Sequence, residues 1–181
     1  MDSNLSFDAT LRLPDNHVNL LEILHGKPAL ASVSSFSGGF FTGRPQTLDH
    51  SSLLGLRANA EGAAPRPLRL HFSATADGYR LHIRNRGEHY NKLIGIRWLE
   101  VLGVNDPDID TPTAFTLIDH QDTVITRADI NARHLPVSLM TANKKYIGGM
   151  KVRGSPYIYL AETEEKSRIT FILSVVDKKR S

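Results

Sequence analysis

The sequence, 181 residues long, predicts an all-β fold assembled from one unit used three times. Three observations carry that expectation. From residue 29 onward, short apolar strands recur roughly every 8–12 residues, the spacing of a β-sandwich or barrel. Gly, Pro and Asp separate them, at SGG (37–39), TGRP (42–45), EGAAPRP (61–67), ADG (76–78), NDPDIDTP (105–112) and RGSP (153–156). Second, three stretches follow the same course. An apolar strand around Val33, Ile83 or Leu139 leads through a turn-rich stretch to a strand carrying Leu56, Leu102 or Leu160. A polar loop then precedes a closing strand built on Leu70 and Phe72, Phe115 and Leu117, or Phe171 and Leu173. The gaps from first strand to leucine are 23, 19 and 21 residues, a period that marks a supersecondary unit repeated along the chain. Third, only one short segment reads as a helix.

The elements follow in order. In residues 4–13, Leu5, Phe7, Ala9, Leu11 and Leu13 alternate with Ser6, Asp8, Thr10 and Arg12, the period of a half-buried strand. Pro14 ends it. Residues 16–25 predict the helix, with Asn16 as cap, Leu20, Leu21, Ile23 and Leu24 as its apolar face, and Gly26 with Pro28 as its stop. On this reading residues 1–28 form an N-terminal extension to three pseudo-repeats at about 29–73, 79–118 and 137–173. No linker-like tract divides the chain, so 1–181 reads as one domain. Asp77-Gly78 is a favoured type I′ hairpin pair. It sets Phe72 opposite Ile83 and Ala74 opposite Leu81 on one face. The other face pairs Thr75 with Arg80, Ser73 with His82, His71 with Arg84 and Arg69 with Arg86. Residues 119–135 read as a strand with an irregular excursion.

Composition narrows the function classes. No apolar run approaches the roughly 18–20 residues of a membrane span, and the N-terminus lacks the basic start and apolar block of a secretory signal, so a cytoplasmic chain is expected. With no cysteine there are no disulfides, thiolate metal sites or cysteine nucleophile. The net charge of +3 is mild, which argues against a dedicated nucleic-acid binder.

The third repeat carries a resemblance. Its VSLMTANKKYIGGMKVRGSPYIYLAETEEKSRITFIL (137–173) is similar to a β-trefoil unit of the fascin-like, actin-crosslinking type. The likeness lies in the turn Asn143-Lys144-Lys145-Tyr146-Ile147, the strand ending in Leu160-Ala161 and the closing Thr170-Phe171. The second repeat (YRLHIRN, NKLIG, EVLG, AFTLI) and the first (ALASV, GGFFTG, LGLRA, LRLHF) carry fainter copies. The resemblance implies a six-strand barrel closed at one end by three hairpins; a Greek-key sandwich is the alternative architecture. It also implies a binding module, since trefoils serve as lectins, inhibitors and actin bundlers. The Gln-x-Trp signature of the more distant ricin-B-like lectins is absent from all three repeats, which sets a galactose site of that kind aside.

Two constellations could carry binding. Arg69, His71, Arg80, His82, Arg84 and Arg86 share the polar face of the hairpin. Like charges directly opposite on a sheet repel by about 0.2–1 kcal/mol, so either nearby carboxylates such as Asp119 or Glu88, or an anionic ligand, should offset them. Arginine forks suit sulfate, phosphate and carboxylate. Asn105, Asp106, Asp108 and Asp110 open like a calcium loop, but Thr111 stands at its glycine position and Leu117 at its glutamate. Two readings remain for that loop: a self-capped turn, or sugar-hydroxyl recognition beside an aromatic platform such as Tyr90 or Trp98. The eight histidines form no short metal-ligand pair on a helix. No G-x-S-x-G, P-loop or G-x-G-x-x-G is present. The expectation is therefore a non-catalytic module with no metal or cofactor. Its ligand would be a glycan or other anionic ligand. The alternative is a protein partner, either a cytoskeletal or host protein or an inhibited protease.

Overall fold

The computed structural model describes residues 3–33, 36–37, 40–41, 46–58 and 65–176, and the chain runs a similar course three times. In the first unit, β1 (Phe7–Arg12) leads to β2 (Asn16–Leu20). An excursion follows, made of α1 (Leu21–His25), β3 (Leu30–Val33), β4 (Phe36–Ser37), β5 (Phe40–Phe41) and β6 (Gln46–Asp49). Then come β7 (Leu54–Ala58) and β8 (Arg69–Thr75). The second unit is β9 (Gly78–Ile83), β10 (Ile94–Trp98), β11 (Val101–Val104) and β12 (Phe115–Ile118). After β13 (Val124–Ile125), the third is β14 (His134–Thr141), β15 (Tyr146–Lys151), β16 (Ile158–Thr163) and β17 (Phe171–Val175).

The outer strands of each unit close a six-strand antiparallel barrel. Around it β1 pairs with β8, β8 with β9, β9 with β12, β12 with β14, β14 with β17, and β17 with β1. Closure gives every stave a partner on both edges, removing the exposed edges on which isolated sheets aggregate. The inner strands form hairpins β2–β7, β10–β11 and β15–β16. These meet one another through β7–β16, β11–β16 and a Leu53–Gly103 bridge. The closing strands bury the expected pairs: Leu70 and Phe72, Phe115 and Leu117, Phe171 and Leu173 are each at most 1% exposed. Leu56 is buried in the same core, but Leu54 joins Leu102 and Leu160 around the small central void.

Two strand assignments are corrected. Strand β1 is a barrel stave, not part of an extension. Its Phe7 stacks on Phe72 at 4.8 Å and meets Tyr79 edge-on at 5.5 Å. The strand at Val33, taken as the start of the first repeat, pairs instead with β6 in a separate two-stranded sheet. The excursion lengthens the first hairpin connection, and that insertion shifted the apparent repeat. It covers a second apolar cluster, in which Leu21, Leu24, Ala29, Ala31 and Leu53 pack on Val101, Tyr157, Tyr159 and Ala161.

The helix is half its expected length. Residues 16–20 are strand because they pair in register with 58–54, a tertiary preference that overrides weak local helix propensity. Asn16 is therefore no cap. The C-terminal stop is as expected, with Gly26 in the left-handed region at φ 67°.

The hairpin keeps its predicted faces but turns one residue earlier. Thr75 pairs with Gly78, Ser73 with Arg80, Phe72 with Leu81, His71 with His82 and Leu70 with Ile83. Ala76 and Asp77 form the turn. Gly78 is a strand residue at φ 136°, where a Cβ would lie 2.5 Å from the Phe115 carbonyl oxygen. The glycine thus serves close approach of β9 to β12. Within 119–135 the chain forms β13, a 3-10 turn at Arg127–Asp129 and the start of β14. The predicted turns at 38–39, 42–45 and 61–64 lie outside the described residues.

Candidate functional site

Strand alternation aims Arg69 and His71 of β8 away from the core, together with Arg80 and His82 of β9, while Leu70, Phe72, Leu81 and Ile83 point in. Beyond the registered pairs the Arg84 amide donates to the Arg69 carbonyl at 2.8 Å, so Arg69 faces Arg84 rather than Arg86. The chain then turns through 85–92. That loop is tied down by Asn91 N–H to the Ile83 carbonyl at 2.6 Å, Ile83 N–H to Lys92 at 2.9 Å and Lys92 N–H to His89 at 3.1 Å. Asn85 adds a clasp: its Oδ1 accepts from the Arg69 amide at 2.8 Å, and its Nδ2 donates to the Pro67 carbonyl at 3.0 Å.

These elements enclose an open groove of about 400 Å³, lined by Asp8, Arg69, His71, Arg84, Arg86 and Tyr90. Its electrostatics differ from a uniform basic stripe. Asp8, on the neighbouring stave β1, lies 2.6 Å from His71 Nδ1 and 3.9 Å from Arg69 Nη2. The compensating carboxylate is therefore Asp8, neither Asp119 nor Glu88. Asp119 Oδ1 is occupied by the amides of Gln121 and Thr123, both at 2.9 Å. Arg84 has no carboxylate partner among the described residues. Its guanidinium donates to Asn91 Oδ1 at 3.0 Å and lies 5.8 Å from the Tyr90 ring centroid. Neutral partners thus hold this cation in place without neutralising it. Arg86 is exposed and makes no ion pair among the described residues. Tyr90 shows half of its surface to solvent.

The two histidines of the face play different parts. Burial pushes His82 below the ordinary imidazole value, against a smaller opposing effect of the Asn91 backbone bond; positive charge on His71, Arg84 and Arg80 pushes the same way as burial. Burial thus disfavours the charged form of His82 beside the groove. Its ring lies 5.9 Å from that of His71. Arg80 is exposed at the far end of the face and does not line the groove.

The second predicted constellation stands apart. Asp106 Oδ1 accepts from the Asp108 amide at 3.0 Å, and Asp110 Oδ2 accepts from the Asp106 amide at 2.9 Å. Arg97 Nη1 lies 3.5 Å from the same Asp110 oxygen. Asn105 is buried, its amide donating to the Leu93 carbonyl at 2.7 Å. Two of the three carboxylates thus cap their own turn. Trp98 is no open platform: it packs 4.2 Å from His50 and 5.9 Å from Tyr159, within the cluster beneath the excursion. None of these residues lines the arginine groove.

Sequence reasoning missed Asp8 and Asn91. Asp8 was legible as an outward position of the β1 alternation. Its role required knowing that β1 pairs with β8, with Asp8 opposite His71. Among the described residues no helix is long and apolar enough to cross a membrane. Comparison with protein-family models, curated proteins and solved structures gives no match to this chain.

Proposed function

We propose that the chain is a non-catalytic β-trefoil module that binds an acidic glycan in the arginine groove. The fold half of this reading is supported by the six closed staves and the three hairpins that meet at one end, together with the fascin-like sequence of the third unit. The functional half is carried by one observation: three arginines, 69, 84 and 86, converge on a groove that holds a single carboxylate, Asp8. Guanidinium forks bind sulfate and carboxylate bidentately, and Arg84 is already oriented by Asn91 and Tyr90, so less side-chain freedom is lost on binding.

Two further features favour a sugar over a small free anion. The groove is open and polar rather than a deep enclosed cavity, which suits a chain laid across the surface. The Tyr90 ring, half exposed beside Arg84, offers a flat apolar face next to the charges. An array of sulfated, uronic-acid and neutral oligosaccharides tests the proposal. Binding confined to sulfated and carboxylated members, and lost in Arg84→Ala/Arg86→Ala, is the expected result. Equal binding to neutral members, or retention by the double variant, would reject it.

A further inference from the structure

On the other side of the same loop lies a cluster that the arginine groove does not use. Glu22 comes from the first turn of α1, in the excursion, where its amide donates to the Ser51 carbonyl at 3.1 Å. Glu88 and His89 come from the loop after β9. One ligand atom from each of the three lies within 4.8 Å of the other two. His89 Nε2 is 3.4 Å from Glu22 Oε1 and 4.0 Å from Glu88 Oε2. Among the described residues, His89 makes no side-chain hydrogen bond to either carboxylate. The His89–Glu22 separation of 3.4 Å matches the spacing of two donors on one ion, and Glu88, 4.0 Å from His89 and largely exposed, needs only a side-chain rotation to close in. Ligands about 2.0–2.2 Å from a tetrahedral ion stand roughly 3.3–3.6 Å apart.

The imidazole is placed for this. Its side chain is only 16% exposed, and its Nδ1 is buried without a protein partner. Of its two nitrogens, Nε2 faces the two carboxylates. The group opens on a cavity of about 300 Å³ whose walls include Leu20, Ile23, Leu68 and Ile83, with Arg66 and with Arg86, which also borders the arginine groove. That space would admit a water or ligand atom as a fourth donor.

We infer that Glu22, Glu88 and His89 form a site for a divalent transition metal of the zinc class. One imidazole with two carboxylates suits such an ion better than Ca²⁺, which takes six to eight oxygens, or Mg²⁺, which keeps much of its water. Sequence reasoning found no metal pair because the three donors come from segments more than 60 residues apart, at 22 and at 88–89. The ion would clamp the excursion to the loop bearing Arg84, Arg86 and Tyr90. The site does not depend on the glycan reading, since it shares no donor with the arginine groove.

The test is calorimetric titration of the chelator-treated full chain with Zn²⁺, alongside thermal melts with and without the ion. One equivalent should bind and raise the melting temperature, because an ion that binds only the folded state stabilises it. Glu22→Gln and His89→Ala should each weaken binding by at least about tenfold, the loss that even outer partners of metal ligands produce. Glu88→Gln should weaken it less, its side chain being largely exposed. Glu22→Gln is nearly isosteric and keeps the test valid if His89→Ala does not fold. No saturable binding, or an affinity unchanged in Glu22→Gln because scattered surface histidines hold the ion, would overturn the inference. Glycan binding by the same variants is read separately, so failure of one site leaves the other standing.

Discussion

The arginine groove and the aspartate loop at 105–110 are equally conspicuous as sequence, and they differ in what their charges touch. In the loop, carboxylates accept backbone amides from their own turn, at 3.0 Å for Asp106 and 2.9 Å for Asp110. Those hydrogen bonds shape the chain. In the groove, one carboxylate serves Arg69 and His71, while Arg84 is held by an amide and a phenol ring and Arg86 by nothing ionic among the described residues. The contrast teaches that a run of charge points to a ligand only where its partners are absent or neutral. A carboxylate that caps its own loop has little left to offer a sugar.

The largest test of this contrast is Arg84→Ala/Arg86→Ala. Each charge-assisted hydrogen bond contributes about 1.5–3 kcal/mol, so losing two guanidiniums should weaken a sulfated oligosaccharide by about 100-fold or more in calorimetric titration. Asp108→Asn, made in the loop, should leave that affinity and the melting temperature unchanged. A matching loss from the loop variant would erase the distinction between the two regions.

The next effect concerns the frame that sets the groove. Gly78 sits at φ 136° with the Phe115 carbonyl oxygen 2.5 Å from where a Cβ would be. Gly78→Ala should cost about 1–3 kcal/mol in denaturant unfolding. A neutral result would mean that the β9–β12 contact does not hold the hairpin.

A smaller change should sharpen the comparison in the opposite direction. Exposed or half-exposed ion pairs contribute about 0.2–1 kcal/mol, so Asp8→Asn frees Arg69 at little cost. Affinity for the sulfated ligand should rise by about 1.5- to fivefold. A fall would show that Asp8 itself contacts the ligand.

The smallest effect is in pH dependence. Burial lowers His50 from the ordinary imidazole value of about 6.5, with the nearby Asp49 charge opposing in part. The unfolded chain then binds a proton at a higher pH than the folded chain. Stability from this group is complete above about pH 6.5 and declines as pH falls toward the lowered folded value. Melting temperatures should drop over that interval, and His50→Gln should flatten the drop. An unchanged slope would place the acid sensitivity elsewhere, His82 being the next group depressed by burial.

Much of the fold was legible because period and composition agree with the strands. The alternation of Phe7, Ala9 and Leu11 is a stave, and the Leu/Phe pairs of the three closing strands are buried as expected. What failed were long-range facts. Residues 16–20 carry no local sign that they pair with 54–58. The excursion at 21–53 supplied a decoy strand at Val33, which obscured that the first unit begins at Phe7. The hairpin turn moved by one residue because Gly78 answers to Phe115 across the barrel, not to its own turn. For the site, alternation placed Arg69, His71, Arg84 and Arg86 on one face, and these four line the groove; Tyr90, named as a platform for the aspartate loop, lies in the groove instead. Arg80 and His82 were placed with the arginines, and Trp98 with the aspartate loop, because sequence does not report which outward position ends in a groove, which is half-buried, and which lies beneath another segment.

A nitrogen–proton NMR titration of the whole chain with a short sulfated oligosaccharide decides between the two regions. Shifts should concentrate at residues 8, 69–71 and 84–91, and the amides of 105–110 should stay fixed. Shifts centred on 105–110, with the arginine groove silent, would contradict the assignment of ligand binding to the unneutralised guanidiniums.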